Sequence, residues 1–218
     1  MRPRIFLIHA TPLSLAPIAE AFARLWPEAE LANLLEDSLA RDRARDGRLT
    51  EAMTARFLTL ARYAESAGAD AILFTCSAFG PAIEACRADS KIPMLKPNEA
   101  MLEEALAAGA DLGLIASFPP SLPALEEELR EAARAAGKAI RVQTALAAGA
   151  MEALGAGDAA THDRLIAAAA KSLSGCDVVC FAQFSMSGAA KAAAAASGRR
   201  VLTTPDSAVA KLRRVLGR

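Results

Sequence analysis

Residues 68–77 read Gly68-Ala69-Asp70-Ala71-Ile72-Leu73-Phe74-Thr75-Cys76-Ser77. At 107 positions further on the chain reads Gly175-Cys176-Asp177-Val178-Val179-Cys180-Phe181-Ala182-Gln183-Phe184. Each stretch sets a Gly-x-Asp before a short, continuously apolar run, the pattern of a strand buried on both faces. The same offset places Leu7-Ile8-x-x-x-Pro12-x-Ser14-Leu15 on Leu114-Ile115-x-x-x-Pro119-x-Ser121-Leu122, and Thr54-x-x-x-Leu58-x-x-Ala61 on Thr161-x-x-x-Leu165-x-x-Ala168. After one inserted residue, Pro97-Asn98-x-Ala100 meets Pro205-Asp206-x-Ala208. A single register holding across four elements reads as a duplicated domain.

Working outward, each half alternates short apolar runs with helical spacing. The first half reads as strands 5–9, 31–35, 71–75 and 92–95 with helices 15–26, 50–67, 81–88 and 99–108. The second reads as strands 112–116, 140–144, 178–182 and 201–203 with helices 122–136, 158–173, 188–196 and 207–216. This predicts an α/β fold of two pseudo-symmetric parallel-sheet lobes, 1–97 (completed by the C-terminal helix 206–218) and 98–205. Open parallel sheets bind ligands beyond the carboxyl ends of their strands, so the cleft between the lobes is the expected site.

Composition narrows the function. The 218 residues balance 25 Lys+Arg against 25 Asp+Glu, with one Trp and one Tyr, which offers nucleic acid neither a basic face nor stacking aromatics. No run approaches the ~18 apolar residues of a membrane helix. The apolar run Ile5–Ile8 is too short for a signal-peptide core, so the expected compartment is the cytoplasm and the four cysteines are expected as thiols. With no CxxC pair and only two His, no metal site is expected. Gly155-x-Gly157-x-x-Ala160 imitates a dinucleotide motif but follows a helical stretch, so no cofactor is expected from it.

The strand ends carry the chemistry. Thr75-Cys76-Ser77-Ala78 follows the third strand, and its counterpart is Ala182-Gln183-Phe184-Ser185, so Cys76 is matched by Gln183. Cys76 falls between a strand end and a helix start, where free N–H groups and the helix dipole are expected to lower a thiol pKa. Cys86, Cys176 and Cys180 fall inside elements or before them and read as core or surface filler. After the first strands come Thr11-Pro12-Leu13-Ser14 and Ser117-Phe118-Pro119-Pro120-Ser121. Thr11, Ser14, Ser117 and Ser121, with Thr75, Ser77 and Ser185, are candidate carboxylate ligands, and Ser14 and Ser121 read equally well as helix caps. His9 reads as a satisfied structural residue. Asn98 and Thr203-Thr204 follow the fourth strands as weaker candidates.

The segments 68–77, 176–186 and Gly113-Leu-Ile-Ala-Ser-Phe118 resemble the aspartate/glutamate racemase superfamily, which includes hydantoin racemases, maleate isomerases and arylmalonate decarboxylases. The resemblance spans nearly the whole chain. It implies two α/β lobes working without cofactor or metal, with one cysteine from each lobe flanking the α-carbon of a carboxylate. Carried over, the first cysteine is Cys76 and the second falls on Gln183, which cannot exchange a proton at neutral pH. The resulting expectation is a racemase- or isomerase-like enzyme with one catalytic cysteine, Cys76, and Gln183 steadying an enolate. Its substrate would be a small carboxylic acid or amino-acid derivative. A single-cysteine decarboxylase or cis–trans isomerase, and a non-catalytic carboxylate-binding protein, stand as alternatives. The expected partners are the small carboxylate and further copies of the chain, as a homodimer or higher homo-oligomer.

Overall fold

The inner strands are runs of Ile, Leu, Val and Phe that carry charge only at an opening residue, and such runs pair side by side only where helices cover both faces. In the computed structural model, which describes residues 2–119 and 121–218, they do so twice. The first sheet holds β1 (Arg4–His9), β2 (Glu30–Leu35), β3 (Ala71–Phe74) and β4 (Met94–Leu95), all parallel, in the order β2-β1-β3-β4. Its helices are α1 (Leu15–Leu25), α2 (Ser38–Asp46), α3 (Glu51–Ser66) and α4 (Gly80–Ala88). α5 (Glu99–Ala108) leads to the second sheet, β5 (Asp111–Ala116), β6 (Arg141–Leu146), β7 (Val178–Phe181) and β8 (Arg200–Leu202), parallel in the order β6-β5-β7-β8. Here the helices are α6 (Ser121–Ala135), α7 (Ala150–Gly155), α8 (Ala159–Ala170) and α9 (Ala190–Ser197), and α10 (Thr204–Val215) follows β8 and returns the chain to the first unit. The chain divides into two compact units, Met1–Glu99 with Ala208–Arg218, and Ala100–Ser207.

The repeated Gly-x-Asp has a repeated job. Asp70 accepts the Arg4 N–H at 2.7 Å, and Asp177 accepts the N–H groups of Asp111 at 2.9 Å and Ala110 at 2.8 Å. Each carboxylate thereby staples the start of the third strand to the start of the first. Gly109 makes room for the second staple, because a Cβ there would lie 2.1 Å from Asp177 Oδ2. The opening residues of the first two strands pair as ions in both sheets with the signs exchanged: Arg4 with Glu30, and Asp111 with Arg141.

Two features depart from the sequence reading. The second strands break the common offset: Arg4 sits beside Glu30 and Asp111 beside Arg141, an offset of 111, whereas β4 and β8 keep 107. The longer helix α6, 15 residues against 11 in α1, shifts β6 to Arg141–Leu146. The helices α2 and α7 were not anticipated, because they bury almost nothing: Leu39 in α2 and Ala150 in α7. Without an apolar stripe they carry no periodic signal.

In the first unit Phe6, Ile8, Ile72 and Phe74 from the sheet pack against Met53, Phe57, Ala61 and Ala64 of α3 and Ala82, Ile83 and Cys86 of α4. In the second, alternate residues of β7 feed two cores: Val178 and Cys180 one, Val179 and Phe181 the other. Phe57 stands at the centre of an aromatic cluster, 5.7 Å from Phe74 and 4.8 Å from Phe79 (ring centroids). Since Phe74 and Phe79 flank residues 75–78, this cluster seats the turn that carries Cys76. Phe57→Ala should cost about 3–5 kcal/mol of stability through the cavity it leaves. Urea denaturation followed by tryptophan fluorescence and far-UV circular dichroism measures that loss.

Candidate functional site

Cys76 follows β3 in extended conformation (φ −131°, ψ 116°) and leads into a 3₁₀ turn, Ser77–Phe79; α4 begins only at Gly80. Side chains alternate here, so Cys76 turns to the Phe74 side and packs on the edge of that core, half-buried. Burial pushes its thiol pKa up from the ordinary value of 9.0, and the N–H of Ala78 pulls weakly the other way. This corrects the expectation of a lowered pKa. The intervening turn sets the thiol back from the first turn of α4, beyond which a helix dipole fades, and desolvation wins. The other thiols are buried in the cores, with Cys86 pushed up to about 11 and Cys180 to about 12, both mainly by burial.

Gln183 occupies the matching place after β7, also extended (φ −141°, ψ 143°) and also leading into a 3₁₀ turn, Phe184–Ala189. Its Oε1 accepts from the Ser117 N–H at 2.8 Å and from Ser117 Oγ at 3.2 Å. A backbone N–H can bond only to the oxygen end of an amide, so the orientation is fixed and the NH₂ group faces away from Ser117 as a double donor.

In the first unit, the ends of the first and third strands are joined differently. His9, fully buried at the end of β1, has Nε2 3.0 Å from Asn33 Oδ1 on β2. Its Nδ1 lies 2.9 Å from both Ser14 Oγ and Thr75 Oγ1, which are themselves 2.9 Å apart. An amide oxygen only accepts, so Nε2 carries the proton and Nδ1 receives one of the two hydroxyls. Carbonyls of Thr11 (3.1 Å from Ser14 Oγ) and Ile8 (3.3 Å from Thr75 Oγ1) stand by for the other. Burial lowers the His9 pKa below 6.5, partly opposed by the bond to Asn33, so the ring is neutral at pH 7. Ser14 and Thr75 thus spend their hydroxyls inside the unit. Asn33 was not singled out from sequence, although a lone polar residue in the run Leu31–Leu35 was a readable signal.

The remaining candidates spread over the strand ends. Thr11 is half-buried and caps the Leu13 N–H at 3.4 Å; Ser77 is exposed; Ser185 is half-buried. Ser121 opens α6, half-buried, with its N–H bonded to Phe118 O at 3.0 Å, while Pro120 lies outside the described residues. Asn98, Thr203 and Thr204 are buried, and Thr204 Oγ1 donates to Phe181 O at 3.4 Å. A surface pocket lined by Arg130, Ala133, Arg134, Lys138 and Ile140 lies at the amino end of β6, away from the strand ends that carry these groups. Among the described residues no cluster of His, Cys, Asp and Glu could hold a metal ion, and no helix is long and apolar enough to cross a membrane.

Comparison with solved structures places this fold among racemases. An aspartate racemase homologue from Pyrococcus horikoshii OT3 superposes with a TM-score of 0.75 at 15% identity, over 100% of both chains. Allantoin racemase from Klebsiella pneumoniae gives 0.73 at 16% identity, covering 99% of this chain and 88% of that one. Unliganded arylmalonate decarboxylase gives 0.65 at 17% identity, covering 99% and 93%. No curated protein matches by sequence. The family model described as Asp/Glu/Hydantoin racemase matches residues 10–212, which takes in every strand but β1 and both strand-end turns: the chain belongs to the Asp/Glu/hydantoin racemase family.

Proposed function

We propose that the chain is a cofactor-independent racemase- or isomerase-like enzyme acting at the carbon next to a carboxylate of a small acid or amino-acid derivative. The observation that carries this reading is the unlike pair at equivalent turns: a thiol at Cys76 and, at the matching place, an amide at Gln183 whose oxygen is tied down by Ser117. The Cys76 thiolate takes the α-proton, and the enediolate left behind gathers charge on its oxygens. Gln183 donates N–H groups to such an oxygen but returns no proton. Proton exchange therefore runs through Cys76 alone, from one face. Thr11, Ser77, Ser121 and Ser185 are proposed as the polar surroundings of the carboxylate, and buried Ser117, proposed from sequence as a further ligand, serves instead by holding the Gln183 amide. Ser14 and Thr75 contribute by holding the turn. We place the protein in the cytoplasm, working as a homo-oligomer.

A second reading, decarboxylation, is favoured by the raised thiol pKa. A carboxylate that leaves as carbon dioxide needs no base; the enediolate needs a proton, and a half-buried thiol whose pKa is raised by desolvation supplies one. The decarboxylase among the structural neighbours makes this chemistry a natural competitor.

A thermal-shift screen of mono- and dicarboxylates, followed by reaction of each hit in D₂O, tests both. Under the isomerase reading the substrate gains α-deuterium. Cys76→Ala should end the exchange, and Gln183→Ala should slow it by about 10²–10³-fold, the usual loss for one such donor. Deuterium uptake at the parent rate in Cys76→Ala would sink the assignment. Carbon dioxide release without α-exchange of substrate would favour the second reading instead.

The pH profile separates the two readings by sign. Because burial holds the thiol pKa above 9.0, an isomerase using the thiolate speeds up as pH rises toward and past that value. A decarboxylase using the thiol holds its rate through neutral pH and declines once pH passes the raised pKa. Measuring kcat/KM on a confirmed substrate from pH 6 to about pH 10 distinguishes the curves.

A further inference from the structure

The hub formed by His9, Asn33, Ser14 and Thr75 belongs to one half only. At the offset that aligns the first and third strands, His9 is matched by Ala116 and Thr75 by Ala182, so the second half cannot build it. The half with the thiol has therefore placed a fully buried imidazole where its twin keeps apolar side chains. A buried imidazole and two buried hydroxyls are costly unless each is bonded, and here each is, with the exposed Asn33 closing the set from β2. One of its buried members, Thr75, is the residue immediately before Cys76.

We propose that His9 is a positioning residue that acts through Thr75 on Cys76, fixing the end of β3 so that the thiol stays tucked against the Phe74 side of the sheet. The proposal rests on the reading of Cys76 as the reactive group. Alternation along the extended backbone puts Thr75 on the His9 side and Cys76 on the other, so clamping the first fixes the direction of the second. The clamp is best satisfied by a neutral imidazole: a protonated Nδ1 must donate where it had accepted, turns the hydroxyls toward the longer carbonyl bonds, and sets a buried charge in the joint.

The groups that face the ring carry no charge: Asn33 from β2, Thr75 from β3, Ser14 from the start of α1. Glu36 meets His9 only through its backbone N–H, 3.0 Å from His9 O, while its carboxylate is held by Ser38 and Arg56. No neighbouring acid thus offsets the desolvation that keeps the ring neutral, and protonation on acidification loosens the joint by placing an unpaired charge in it.

The test reads the thiol itself. Labelling of Cys76 by 2,2′-dipyridyl disulfide, which reacts with thiols at acid as well as neutral pH, is followed in the full-length chain from pH 4 to about pH 8. Peptide mass spectrometry assigns the site. In the parent, the labelling rate should show an added rise below pH 6.5, as His9 protonates and Cys76 gains solvent. His9→Asn keeps an acceptor near the Nδ1 position without a proton to gain, so it should match the parent at neutral pH and lose the acid rise. His9→Leu should label about tenfold faster at neutral pH, the factor one lost buried hydrogen bond is worth. Labelling of His9→Leu at the parent rate would overturn the proposal, and so would an acid rise retained in His9→Asn. If His9→Leu does not fold, the His9→Asn profile decides alone. Failure of the parent to turn over any carboxylate would overturn the proposed function only, because the labelling contrast needs no substrate.

Discussion

Both halves of this chain depend on one joint, the fastening of the residues after the third strand to the end of the first. Parallel strands run side by side without a hairpin to tie their ends, so the carboxyl edge of such a sheet needs polar links of its own. In the first half the link is an imidazole shared by two hydroxyls; in the second it is a glutamine oxygen shared by the N–H and hydroxyl of Ser117. The amino edges are closed by the same device in both halves, an aspartate accepting backbone N–H groups. The two halves agree where the fold is held and differ where chemistry is expected.

That contrast organises the reading of the site. Cys76 and Gln183 share backbone shape, position after a strand and a following 3₁₀ turn, yet one carries a titratable proton and the other a fixed pair of donors. Duplication supplies the scaffold in two copies, and substitution at one turn per copy is enough to make the copies chemically unequal. The environment completes the division of labour: burial raises the Cys76 pKa, and Ser117 orients the Gln183 amide.

Most of the architecture was legible in the sequence because parallel α/β folds write themselves in short apolar runs. The third strands, read at 71–75 and 178–182, form at 71–74 and 178–181, each behind its Gly-x-Asp, and the repeat offset located the equivalent turns. Three things were not legible. The helices α2 and α7 bury too little to leave a periodic trace. The shift of β6 depends on how far α6 runs past the end of its counterpart α1, and a helix end leaves little mark in the apolar pattern. The direction of the Cys76 pKa shift turned on competition between desolvation and a nearby helix start, and the intervening turn that decides it has no signature in Thr75-Cys76-Ser77-Ala78. His9 was read correctly as satisfied, but its partner Asn33 sits 24 residues away on another strand. Only the parallel register brings the two together.

The exchanged charges at the first strand pair bear on how a duplicated chain avoids confusing its halves. Two repeats with the same strand order and similar apolar faces can trade strands while folding, a common failure of tandem repeats. If β1 took β6 as its neighbour in place of β2, Arg4 would meet Arg141; if β5 took β2, Asp111 would meet Glu30. Each wrong pairing sets like charges directly opposite at the residue where pairing begins, and each right one sets opposite charges there. An exposed ion pair adds little to the finished fold. Here its sign works as an address, written once in each half and legible only to the correct partner.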